Sequence, residues 1–196
     1  MARRHAFLEA ARAVFFEQGF ANASVNEVVN RAGGSLATLY SQFGNKEGLF
    51  LAVFEDQYAR FTRDISPSDY AHLPLEQGLQ AMGEQFLKAT LSPDHLAFYR
   101  LAIGGARSHP ELLQRYLVTG LSRLRDAVVA YMTEAKTVDG RKIADPESTA
   151  TFFFDLMRSR HHYRALTSDS YVLTPEQVTA HIRHSVTFML HGALRA

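Results

Sequence analysis

The chain of 196 residues contains no cysteine and no tryptophan. The first absence excludes disulfides, thiolate metal ligands and a thiol nucleophile, and it fits a reducing compartment. No run approaches the roughly 18 apolar residues needed to span a bilayer, and the amphipathic start MARRHAFLEAARAVFF does not read as a signal peptide. A soluble, cytoplasmic protein is expected. Bulk charge is missing too: 21 Lys and Arg face 20 Asp and Glu, for a net +1. Any polyanionic partner must therefore be met by a focused patch and by doubling in a dimer. There is no Glu-x-x-His pair for a di-iron bundle, no nucleophile elbow and no glycine loop for phosphates. An enzyme is not expected, and neither is a cofactor. With 46% hydrophobic and 11% aromatic residues, the composition is that of a globular chain.

What is present centres on residues 24–46, SVNEVVNRAGGSLATLYSQFGNK. Ser24 caps a first helix and Glu27, three residues on, completes a capping box. Val25, Val28, Val29 and Ala32 make its apolar stripe, and Gly33-Gly34 breaks it. Ser35 caps a second helix, whose inner face carries Leu39 and Phe43. Its outer surface shows small, hydroxyl and amide side chains, as a helix entering a major groove requires. Thr38, Tyr40, Ser41 and Lys46 suit phosphate oxygens; Gln42 suits a base edge, and Leu36 or Ala37 a thymine methyl. Ser35 joins this DNA-facing set. No carboxylate occurs from Arg31 to Lys46, which predicts a locally positive surface. Over residues 1–50 five basic groups stand against four acidic ones. Arg3 and Arg4 either reach a phosphate or minor groove or remain solvated.

The run RAGGSLATLYSQFGNKEGLF resembles the TetR family of bacterial transcription regulators, through Ala32, Gly33, Ser35, Thr38, Leu39, Tyr40, Phe43, Lys46, Glu47 and Leu49. The resemblance implies DNA binding and that Ser24, Asn26, Leu36, Ala37, Thr38, Tyr40, Gln42 and Lys46 face the duplex. Two residues depart from the family pattern. Gly34 stands where valine is preferred, which would loosen the turn, and Leu36 stands where lysine is frequent. Further on, YRLAIGGARSHPELLQRYLVTG resembles the C-terminal domain of the AefR-like branch, without the acidic residue often found near Gly104.

Taken in order, a first helix spans about Arg4 to Gln18 and stops at Gly19, and Asn45 caps a fourth helix running to about Arg63. The break Ser66-Pro67-Ser68-Asp69 divides a DNA-binding domain, residues 1–63, from residues 64–196. A helix over about Leu75 to Leu91 follows. Ser92-Pro93-Asp94, Ser108-His109-Pro110-Glu111, Asp145-Pro146-Glu147 and Thr174-Pro175-Glu176-Gln177 each place a capping side chain before proline and open four more. The expected fold is all-α: a three-helix helix–turn–helix domain and a C-terminal helical bundle, about nine helices in all. Residues 137–145 and 167–174 read as loops.

In the C-terminal domain Phe86, Phe98, Tyr99 and Tyr116, with Phe153, Phe154, Met157 and His161, are candidates to line a cavity for a small apolar effector. Plain core packing is the alternative for each, and the family resemblance favours a pocket. His181, His184 and His191 share a stripe of the last helix without an acidic partner, so no metal site is expected. At about 100° per residue, the helix from Glu147 gathers Ala150, Phe153, Phe154, Met157 and His161 on one side. Phe152, Leu156, Ser159 and Tyr163 gather opposite, and Asp155, Arg158 and His162 form a polar stripe. A helix with two apolar faces must bury the second. Phe152, Leu156, Tyr163 and Phe188 are therefore expected at a two-fold interface of a homodimer. The function expected is a DNA-binding regulator, a repressor that leaves a palindromic operator when its effector binds. The alternative is a helical small-molecule-binding protein without DNA binding.

Overall fold

The computed structural model describes residues 2–62, 67–105, 110, 114, 122–136 and 140–193. Among these residues there are nine α-helices, one 3-10 turn and no strand. The helices are α1 Ala2–Asn22, α2 Val25–Ala32, α3 Leu36–Phe43, α4 Lys46–Thr62, α5 Leu75–Thr90, α6 Pro93–Gly105, α7 Ser122–Glu134, α8 Pro146–Thr167 and α9 Pro175–Ala193. The 3-10 turn, Pro67–Tyr70, lies in the proline-bearing break after α4. The helix start at Ser108-His109-Pro110-Glu111 falls outside the described residues, save Pro110 itself. Helix α7 has no capping residue followed by proline and is not among the starts marked in the sequence.

By its contacts the chain divides into two compact units, Met1–Arg60 with Ala97–Gly120 and Phe61–Leu96 with Leu121–Ala196. This differs from a linear border at residue 64, because the C-terminal part of α6 packs with the N-terminal helices. Phe98 lies 4.1 Å from Phe54, ring centre to ring centre, and Ala102 is buried beside it.

The first unit is built around phenylalanine. Phe7 and Phe15 of α1, Phe43 of α3, and Phe50 and Phe54 of α4 are all buried, with Val28, Val29 and Leu39. Phe15 meets Phe50 edge-on at 5.0 Å, and Phe50 meets Phe54 at 4.5 Å. Each such ring is worth about 1.5–3 kcal/mol on burial. Around the rim Arg60 ties α4 to α1 by pairing with Glu9, and it holds Asp56 at 2.8 Å. Burial pushes the Glu9 carboxyl up, but Arg60 and Arg12 more than offset it and hold it below its ordinary value.

In the second unit Leu75, Leu79, Met82 and Phe86 of α5 pack with Val128 and Met132 of α7, Phe153 and Met157 of α8, and Ile182 and Val186 of α9. Helix α8 is not continuous. Ser159 takes φ 38° and ψ −147°, outside the helical region. Ala150, Phe153, Phe154, Met157 and His161 are buried as expected. His162, assigned to the polar stripe, is buried as well, its ring 6.0 Å from that of His95.

Candidate nucleic-acid interface

The local chemistry of residues 24–46 sets the geometry of α2 and α3. The Ser24 hydroxyl accepts the Glu27 N–H at 3.4 Å. The Glu27 carboxylate does not complete the box but goes to Gln18, at 2.6 Å, and to Arg31. Gly33 takes φ 66° and ψ 39°, the left-handed conformation open to glycine, and Gly34 N–H returns to the Val29 carbonyl at 3.1 Å. Ser35 then caps α3, its hydroxyl accepting from Thr38 N–H at 3.1 Å and lying 2.9 Å from the Thr38 hydroxyl. Asn45 caps α4 through the Gly48 N–H at 2.7 Å.

Within α3, Leu39 and Phe43 turn into the core while Leu36, Ala37, Thr38, Tyr40, Ser41 and Gln42 are all exposed. Ser24, Asn26 and Ser35 are exposed beside them. An outward row of this kind, on a short helix reached by a tight turn, matches the requirement for a helix in the major groove. The departure at Gly34 does not loosen the turn. A Cβ built there would stand 2.5 Å from Phe7 Cζ, so the Phe7 ring fills the space a valine would take.

The expected positive surface is weaker than the sequence suggests. Arg31 is bound by Glu17, at 2.8 and 2.7 Å, and by Glu27, and these hydrogen bonds raise its pKa. Lys46 is half-buried; its ammonium donates to the Ala21 carbonyl at 3.0 Å and lies 5.1 Å from the Phe20 ring centre. Burial lowers the Lys46 pKa, partly countered by Glu47. The arginines whose role the sequence leaves open are engaged with the motif itself. Arg3 donates to the Ala32 and Gly33 carbonyls, at 3.2 and 2.7 Å, and Arg4 lies 5.3 Å from the Phe43 ring centre.

Of the candidate effector residues, Phe86, Phe153, Phe154 and Met157 share the core of the second unit, with Phe86 and Phe154 4.9 Å apart. Phe98 and Tyr99 belong to the first unit. Tyr116 lies outside the described residues. His161 places Nδ1 2.6 Å from the Tyr171 hydroxyl and its ring 4.4 Å from that of His181. Three residues absent from the sequence-based set join this aromatic region. Phe61 stacks on His95 at 4.5 Å and meets Phe86 at 5.9 Å, and His95 lies 6.0 Å from His162. Burial first, then the neighbouring His162 and Arg158, drive the His95 pKa down to about 3. Burial and Arg158 take His162 down to about 4. Nothing in their spacing marked them, since residues 95 and 162 meet only in the folded chain. Among the described residues no cluster of three or more His, Cys, Asp or Glu is placed to hold a metal ion. Nor is any described helix long and apolar enough to cross a membrane.

The fold and the α2–turn–α3 site together define a helical DNA-binding regulator. Residues 7–53 match the model of the bacterial regulatory proteins of the tetR family, and residues 77–192 match that of the C-terminal domain of AefR-like transcriptional repressors. The chain belongs to the TetR family of transcriptional regulators. It is 26% identical over 183 residues to the HTH-type transcriptional regulator BetI of Rhizobium meliloti, covering 92% of this chain and 90% of BetI. A TetR-family regulator from Mesorhizobium loti superposes with a TM-score of 0.87 at 22% identity, over 97% of this chain and 96% of that one. The flavonoid-responsive regulator FrrA superposes with a TM-score of 0.82 at 26% identity, over 99% and 98% of the two chains.

Proposed function

We propose that the protein acts in the cytoplasm as a homodimeric repressor that occupies a palindromic operator through α3 and leaves it when a small aromatic effector binds the second unit. The outward row on α3 carries the operator reading. Thr38, Tyr40 and Ser41 take phosphates, Gln42 reads a base edge, and Leu36 and Ala37 face a thymine methyl. Lys46 has ammonium protons beyond the one given to Ala21, and these reach a phosphate. Two copies of α3 are needed for two half-sites, which requires a dimer. Phe152 and Tyr163 of α8 and Phe188 of α9 are 61, 69 and 69% exposed, an unusual amount of aromatic surface for these helices, and a second copy is the occupant. Leu156 is half-buried and packs partly against its own core, so it lies at the edge of this contact. The effector reading rests on Phe61, Phe86 and Phe154 beside His95 and His162. Neutral imidazoles bind phenolic hydroxyls without the cost of a buried charge. FrrA is flavonoid-responsive by name, and a planar polyphenol is the first probe for this chain.

The operator is first selected by the wild type from random duplexes. Phe188→Arg combined with Phe152→Arg should then give a folded monomer in sedimentation that has lost tight operator binding. A double variant that remains dimeric refutes the interface. A flavonoid should raise the melting temperature by mass action and weaken operator binding. No shift across flavonoids and other hydrophobic aromatics would leave these rings as core alone.

A further inference from the structure

We propose that Arg3 is a positioning residue for operator recognition: from the first turn of α1 it fixes the turn that aims α3, without itself contacting DNA. The inference rests on α3 being the recognition helix. The last carbonyls of any helix lack intrahelical donors, and a cation there is favoured by the helix dipole. At the end of α2 the Arg3 Nη1 supplies both needs, donating to the carbonyls of Ala32 and Gly33 at 3.2 and 2.7 Å. These two carbonyls bracket the start of the α2–α3 turn. Two successive glycines give that turn more freedom in the unfolded chain than any other pair of residues, so its geometry needs an external hold.

Phe7 provides the apolar half of the same grip. It lies four residues beyond Arg3, hence on the same face of α1. It is fully buried, and its ring closes against Gly34, where an added Cβ would be 2.5 Å from Cζ and 2.8 Å from Cε1. The same ring meets Phe43 edge-on at 6.3 Å, and Phe43 anchors the far end of α3. The first two turns of α1 therefore hold α3 at its entry and at its exit. Arg3 is the exposed, polar member of that hold. Loss of Arg3 leaves the core intact and frees the entry of α3 to reorient, which moves every side chain of the outward row.

A direct phosphate contact by Arg3 makes different predictions. Each phosphate contact contributes about one unit to the slope of log K against log salt and weakens all sequences alike. A positioning role leaves that slope unchanged and lowers the preference for the operator over unrelated DNA. The experiment compares wild type, Arg3→Gln and Arg3→Lys by fluorescence anisotropy on the selected operator and on a scrambled duplex, over a salt series well below each melting temperature. Gln42→Ala is measured alongside. Arg3→Gln should lose roughly five-fold in operator affinity, the weight of one hydrogen-bonded cap, with an unchanged salt slope and a smaller loss on the scrambled duplex. Arg3→Lys, which keeps the charge and lacks the planar fork, should restore operator affinity only in part. A slope shallower by about one unit per monomer with full rescue by lysine would assign Arg3 to a phosphate. Unchanged affinity with a lowered melting temperature would reduce it to a stabilising contact. Both overturn the proposal. If Gln42→Ala leaves base preference unchanged, the reading of α3 itself fails and the proposal falls with it.

Discussion

A Cβ added at Gly48, in the first turn of α4, would stand 1.9 Å from the carbonyl oxygen of Phe43. At Gly83, in α5 of the second unit, it would meet Met157 Sδ at 2.8 Å and Ile182 Cγ2 at 3.0 Å. The first obstacle is main chain, fixed by the α3–α4 turn. The second consists of flexible side-chain ends. The same contrast runs through the two units. Around its phenylalanine core the DNA-binding element adds caps, glycine turns and carbonyl contacts, which have one geometry. The second unit is held by Met, Ile and Phe side chains, which can repack with modest loss. A reading head needs the first kind of construction. A region that takes up a ligand tolerates the second.

The sharpest way to break this comparison is to fill both glycines. Gly48→Ala should cost more than about 3 kcal/mol, because backbone has to move, and should abolish operator binding. Gly83→Ala should cost about 1–2 kcal/mol, as Met157 and Ile182 shift, and should leave operator affinity within a few-fold. Urea unfolding with matched m-values and anisotropy on the operator measure both. Equal costs would show that both units are fixed in the same way.

Acid should separate the units next. His95 and His162 titrate near 3 and 4 when folded and near 6.5 when unfolded. Below pH 6.5 the unfolded chain takes up protons that the folded second unit refuses, so stability is complete above that pH and falls as pH drops toward 4. The slope reaches about 1.4 kcal/mol per pH unit for each imidazole. His5, the histidine described in the first unit, is exposed. There the groups with depressed pKa values are carboxylates, Glu9, Glu17 and Glu27, whose contribution to stability at neutral pH is lost only as pH falls below the ordinary carboxylate range. Hydrogen exchange between pH 7.5 and 4.5 should show the second unit loosening first. His95→Gln with His162→Gln should flatten its pH dependence. Simultaneous loosening of both units, or no change in the double variant, would remove the histidines from this role.

Most of the first unit was legible because its signals are local. Ser24, Ser35 and Asn45 cap helices within three residues of themselves, and Gly19 and Gly33 mark backbone that other residues avoid. The outward row of α3 followed from Leu39 and Phe43 alone. The partners of the charged groups were not legible, since Arg31–Glu17, Lys46–Ala21 and Arg3–Gly33 join residues 14 or more apart in the chain. The second unit was legible in its buried stripe, Ala150 to His161, and in outward-facing Tyr163, but not at His162. Serine carries no signal for a helix break, and His162 meets His95 from another helix. His95 and Phe61 escaped because their role depends on which helices meet.

The two helix breaks give the last and smallest test. Gly19 in α1 takes φ 73° and ψ 165°, and Ser159 in α8 takes φ 38° and ψ −147°, neighbouring regions of backbone space that favour glycine. A residue with a Cβ held there costs about 1–3 kcal/mol, which the surroundings must over-determine. At Ser159 they do so through His181, whose Nε2 lies 3.1 and 3.2 Å from the Leu156 and Met157 carbonyls and donates to them just before the break. Ser159→Gly removes that strain of about 1–3 kcal/mol and adds about 0.5–1 kcal/mol of unfolded-state entropy, so it should stabilise the chain by about 1 kcal/mol net. Gly19→Ala should do the reverse. An added Cβ there meets nothing within 4 Å, so its whole cost of about 1–3 kcal/mol is backbone. Opposite signs in urea midpoints would show that the same backbone turn is built into one unit by residue choice and forced on the other by a histidine. If Ser159→Gly destabilises instead, the serine side chain holds the break, and His181→Ala should then have little effect.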